Sequence, residues 1–210
     1  MIIKRFLIIL FLLILPIAAF AHPHLVIHSS CEFQFDGLVL DGVWIEFRFD
    51  RYFSGDIFSG YDLDQNKIFD KSETIEVYEN AFINLKNYGF FIRIRNESER
   101  TSPKEVENFS LYAKGDNIIY RFYVDLDNRE DRELYISICD PTFFCAISYE
   151  EEKPVHFKDA ASVNPDYEII ENSDFPVHYD PLAPAGETGS YNEWRPGLQT
   201  FYPEEIHLAF

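Results

Sequence analysis

From Trp44 the run Trp44-Ile45-Glu46-Phe47-Arg48-Phe49 sets Ile45, Phe47 and Phe49 on one side of an extended chain and Trp44, Glu46 and Arg48 on the other. A period of two belongs to a strand with one face buried, and it excludes a helix over the same residues. Glu32-Phe33-Gln34-Phe35 alternates in the same way and runs into Asp36-Gly37. Two long antiparallel strands follow, tied at Asp36-Gly37 or through a bulge near Asp41-Gly42. Further strands are expected over 90–95, 106–113, 118–126, 133–139 and 143–149, separated by turn residues such as Lys114-Gly115-Asp116-Asn117 and Asp140-Pro141. The 21 Phe and 13 Tyr suit such a β-rich core.

One segment breaks the period. Over 74–88, Ile75, Tyr78, Phe82, Leu85 and Tyr88 recur at a spacing of three to four, and Gly89 follows. That predicts one amphipathic helix with a glycine stop. Residues 50–60 lead toward it as a short, partly helical connector.

The residues before that helix carry the sharpest chemical pattern in the chain. Counted as a twelve-residue loop from Asp62, oxygen-bearing side chains stand at positions 1, 3, 5, 9 and 12: Asp62, Asp64, Asn66, Asp70 and Glu73. The carbonyl of Ile68 falls at position 7. This is the spacing of an EF-hand calcium loop, in which alternate residues aim hard oxygens inward and a final Glu closes the cage. Position 6 departs from it, being Lys67 where the backbone normally wants Gly. The same acids could also cap the helix, since negative charge is favoured at its N-terminus.

The chain starts with Lys4 and Arg5, an apolar run over 6–17, and Ala19-Phe20-Ala21. These are the parts of a secretory signal peptide, expected to occupy 1–21 and to be removed before His22. The protein is then periplasmic or secreted and not membrane-embedded after cleavage. The leader carries two of the 18 Lys+Arg and none of the 36 Asp+Glu, so the remainder bears a net charge of −20. Such a surface repels nucleic acid and attracts cations. Of Cys31, Cys139 and Cys145, the last two are expected to form a disulfide across Asp140-Pro141, leaving Cys31 over. Residues 22–159 read as one α+β domain. From 160 onward Pro165, Pro176, Pro181, Pro184, Pro196 and Pro203 punctuate a segment with weak periodicity. It reads as an irregular arm packing on the domain or on a partner, with one short strand over 167–170.

A second cluster lies at the new amino terminus: His22, His24 and His28 would share one face of a strand, with His178 a possible fourth ligand from the arm. Imidazoles suit Zn²⁺, Ni²⁺, Co²⁺ or Cu²⁺. Pro23 has no N–H to lose, which rules out the four-nitrogen chelate built on deprotonated amides. No GxSxG, HExxH or glycine-rich phosphate loop occurs, so the chain reads as non-enzymatic, a copper histidine brace being the remote exception.

Five stretches, in this order, resemble a known family: His22-Pro23-His24-Leu25-Val26-Ile27, Trp44-Ile45-Glu46-Phe47-Arg48-Phe49-Asp50, Tyr61-Asp62-Leu63-Asp64-Gln65-Asn66 with Glu73, Tyr88-Gly89-Phe90-Phe91, and Asp140-Pro141-Thr142-Phe143-Phe144. The family is domain-of-unknown-function family one thousand and seven, labelled an uncharacterised periplasmic component of ABC-type transport. The resemblance implies an exported protein that works beside a membrane transporter of the nickel or cobalt kind and handles metal. Lys67 departs from the family's usual Gly. The expected architecture is an antiparallel sheet or sandwich with one main helix and a C-terminal arm. The expected function is that of a non-enzymatic accessory or binding protein of a metal or ABC-type transport system, with a transition-metal site at His22, His24 and His28 and a structural Ca²⁺ loop. The alternative is an interaction or adhesion module that calcium stabilises.

Overall fold

The computed structural model describes residues 23–96, 99–129, 132–184 and 189–210; the expected signal peptide and His22 lie outside them. Strands β1 (Leu25–Asp36) and β2 (Val39–Phe49) form the long hairpin, closed at the pair Asp36 and Val39 with Gly37 at φ 63°. The tie therefore sits at Asp36-Gly37, and shifts of register fall between Gln34 and Phe35 and between Leu40 and Gly42. Ile45, Phe47 and Phe49 point inward and are buried, as their alternation requires.

The hairpin is the centre of the first sheet. On the β2 side follow β6 (Asn117–Arg129) and then β5 (Glu107–Lys114), both antiparallel. On the far edge of β1, β8 (Cys145–Tyr149) pairs with its first half and β9 (Val155–Lys158) with its second, both parallel. The sheet is thus mixed rather than purely antiparallel. A second, antiparallel sheet has the order β10-β13-β7-β3-β4, from Asp166–Glu171, Glu204–Ala209, Glu133–Ile138, Ile92–Arg95 and Arg100–Thr101. A small pair, β11 (Val177–Tyr179) and β12 (Gln199–Phe201), stands beside it. One hydrophobic cluster joins Phe33, Phe47 and Phe122 of the first sheet to Ile92, Leu134, Ile136, Ile206 and Leu208 of the second. The architecture is α+β and sandwich-like.

The helices are inserted between β2 and β3. α1 (Arg51–Tyr61) is a full helix, N-capped by Asp50, whose carboxylate accepts from the amides of Tyr52 and Phe53. α2 (Lys71–Asn80) ends early, and the chain tightens at Ala81 into a 3₁₀ segment over Phe82–Phe91. The reason lies in the spacing. Phe82, Leu85 and Tyr88 are three apart, which is the turn of a 3₁₀ helix, and that geometry keeps all three on one face. Phe82 anchors the switch, its ring lying 4.2 Å from Phe109 and 5.0 Å from Phe122. Gly89 at φ 63° and Phe90 at φ 53° then turn the chain into β3.

Two expectations need correction. Cys31, Cys139 and Cys145 are all free and buried. Cys139 follows β7 of the second sheet and Cys145 opens β8 of the first, so the intervening residues cross between sheets instead of closing a hairpin. Asp140 organises that crossing by accepting from the amides of Thr142 and Cys145. Residues 160–210 pack on the domain, and they do so as strands: β10 and β13 are half-buried or buried members of the second sheet, and Phe210 meets Phe35 edge-on.

Candidate metal centre

α1, the acidic loop and α2 form a helix–loop–helix, and the loop closes on itself through its own side chains. Asp62 is 6% exposed; its carboxylate accepts from the amides of Asn66 at 3.0 Å and Lys67 at 3.0 Å. Glu73 is 7% exposed and reaches back from the first turn of α2, accepting from Leu63 N at 2.8 Å and Asp70 N at 3.0 Å. Asp70 Oδ1 in turn accepts from Glu73 N at 2.9 Å, which completes a capping box. Asn66 donates from Nδ2 to Asp64, and its Oδ1 accepts from Ile68 N. Asp70 and Glu73 thus cap α2, and Glu73 also turns into the loop through Leu63 N.

Ligand oxygens of Asp62, Asp64 and Glu73 all lie within 4.8 Å of one another. Within that span the two buried carboxylates, Asp62 and Glu73, bring like charges close together. Each oxygen of Asp62 and Glu73 accepts one amide and retains a lone pair. The donor set is all oxygen, two members are buried, and negative charge is concentrated. That chemistry fits a hard divalent cation and does not favour a soft one.

Lys67 takes the left-handed conformation that position 6 demands, at φ 60°, and Gln65 does the same at φ 60°. Its ammonium leaves the carboxylates alone: Nζ pairs with Asp116 at 3.0 Å, in the turn between β5 and β6, and lies 5.5 Å from the centre of the Phe58 ring. Asp116 had no local signal, because its partner is 49 residues away and both groups are exposed.

The histidines are placed separately. His24 is exposed, its ring 4.9 Å from that of Phe144. His28 faces the outer side of β1, with Nδ1 3.1 Å from Ser148 Oγ. Four residues of extended chain separate the two by about 13 Å. His178 sits on β11 with Nδ1 2.9 Å from Thr200 Oγ1. Among the described residues the one group of three or more His, Cys, Asp or Glu close enough to share an ion is the loop triad, so His24, His28 and His178 are not brought together. Among the described residues no helix is long and apolar enough to cross a membrane.

A family model described as a protein of unknown function (DUF1007) matches residues 7–210. The chain is also similar to an uncharacterized 15.5 kDa protein in the trpE 3′ region of Spirochaeta aurantia. The two are 27% identical over 100 residues, which cover 47% of this chain and 71% of the relative.

Proposed function

Because the chain belongs to the protein family of unknown function DUF1007, its role has to be read from its own residues, and we propose a non-enzymatic, exported binding protein that takes up Ca²⁺ in the 62–73 loop. In this reading the ion staples α1 to α2, and the protein serves as an accessory to a membrane metal transporter. The observation that carries the cation site is the convergence of Asp62, Asp64 and Glu73 at the mouth of a helix–loop–helix. Asn66, Asp70 and the Ile68 carbonyl are the remaining oxygens at the right positions of the loop.

A single loop with Lys67 at position 6 belongs at the weak end of such sites, with a dissociation constant of about 10⁻⁴ M. At about 100 times that concentration, Ca²⁺ adds roughly 2.7 kcal/mol of stability, a rise of about 5–10 °C in Tm for a chain this size. Calorimetry and thermal melts with and without Ca²⁺ check this, and Glu73→Gln removes both the heat and the shift. No uptake at 10 mM Ca²⁺ (about 100 times that constant), or uptake indifferent to Glu73→Gln, overturns the reading.

The amino-terminal histidines enter as a second and softer site. With His28 about 13 Å from His24, the ligands left are His22, its α-amine and His24. Titration of the processed protein with Zn²⁺, Ni²⁺, Co²⁺ or Cu²⁺, before and after replacing His22 and His24, tests that pair independently of the loop.

A further inference from the structure

The face of the 3₁₀ segment that Phe82, Leu85 and Tyr88 share does not close onto the sheet. Between them lies a cleft of about 320 Å³. Its floor is Ile27, Phe49, Phe82 and Tyr120, all buried, and its rim is Leu25, Phe53, Leu85, Tyr88 and Phe144, all half-buried. The polar side chains Asp140 and Thr142 border it, but they are spent on each other and on the amide of Cys145. The floor strands are interior ones: β1 is paired on both edges and β6 lies between β2 and β5. The floor offers no open backbone edge, so a peptide laid along it would bury amides and carbonyls without partners, whereas a hydrocarbon chain adds no polar group and leaves only the Tyr120 hydroxyl, already buried without a partner, as it is.

We propose that this cleft binds the alkyl chain of a single-chain amphiphile, tail against Ile27 and Phe49 and head group at the rim. The size follows from comparison with a cavity of ~150 Å³, which holds one benzene. About twice that volume takes about a dozen heavy atoms, a chain of roughly ten to twelve carbons. The formal charge of −18 favours a neutral or cationic head over an anionic one. The site is separate from the cation loop and does not depend on it.

The test uses the purified protein in EDTA, with 1-naphthylamine, small enough for the slot, as fluorescent reporter and decyl maltoside, below its micellar threshold, as competitor. The expected result is reporter uptake and displacement by the decyl chain. Each shortening by two carbons should weaken displacement more than tenfold, and decanoate should compete less well than decyl maltoside. Leu85→Trp, which fills the slot from its rim, abolishes uptake while the melting curve stays cooperative. Ala81→Phe, on the same wall, is the second filler if the first fails to fold. Three outcomes overturn the proposal: no uptake, displacement indifferent to chain length, or uptake unchanged in the filled variants. A dimer that Leu85→Trp dissociates, without reporter uptake, would give the cleft to a second copy instead.

Discussion

Glu150 illustrates how single residues on the outer face of the first sheet respond to pH. Arg48 donates to both of its oxygens, and that hydrogen bonding, aided by the guanidinium charge, holds the carboxyl below its ordinary value of 4.5. A depressed folded-state value contributes stability above about pH 4.5, and the contribution disappears as pH falls through the lower, folded value. Both side chains are about 30% exposed, so the pair is worth about 1 kcal/mol or less. Glu150→Gln should therefore lower stability at pH 7 by that amount, and its stability should merge with the parent's at acid pH, once the depressed folded-state value is passed. The thiols supply a second case. Burial pushes Cys31 up to about 12 and raises Cys145 as well, with the carboxylate of Asp140 adding to it. Thiolate is the reactive form. Native protein at pH 8 should resist alkylation, and unfolding without reductant should expose three modifiable cysteines by mass spectrometry. A disulfide would expose one. The residues of the loop were legible because ligand spacing is local: Asp62, Asp64 and Glu73 are within twelve positions. The fate of Lys67 was not, since it is decided by Asp116.

Among the elements, the helix expected over 74–88 shows where pattern reading reaches its limit. Its apolar stripe was legible, but a spacing of three to four serves an α-helix and a 3₁₀ helix alike. The choice falls to contacts with Phe109, Tyr120 and Phe122, which are remote in sequence. The glycine stop was legible for a physical reason that the structure sharpens. Gly89 is left-handed, and a Cβ there would come within 2.7 Å of Ser102 Cβ. Gly89→Ala should cost about 2–3 kcal/mol, combining the left-handed penalty with the clash, measured as a lower urea midpoint at unchanged slope. The cleft had no signature at all. Its walls come from β1, β2, α1, the 3₁₀ segment and the Asp140 crossing, and no local period records a gap between elements.

For the whole molecule, the two sheets differ in how they are specified. The first was readable from alternation in β1, β2 and β6. The second depends on β13, whose residues Glu204-Glu205-Ile206-His207-Leu208-Ala209 lack a clean period. They become a strand because β7 and β10 wait on either side. Ile206 and Leu208 are fully buried, and Glu205, 2% exposed, accepts from Arg95 and Asn172. Deleting 204–210 should abolish cooperative folding, seen as loss of near-ultraviolet circular dichroism, because β7 loses its neighbour and Arg95 its counter-charge. Through β10 and β13 the described part of 160–210 is therefore built into the second sheet.

The position of β13 also sets a timetable. In chain order β13 comes after both of its neighbours, β7 and β10. During synthesis β7 and β10 therefore emerge with an empty place between them until β13 follows. The second sheet cannot close until that segment has arrived, so its folding waits on residues far from β7 in sequence.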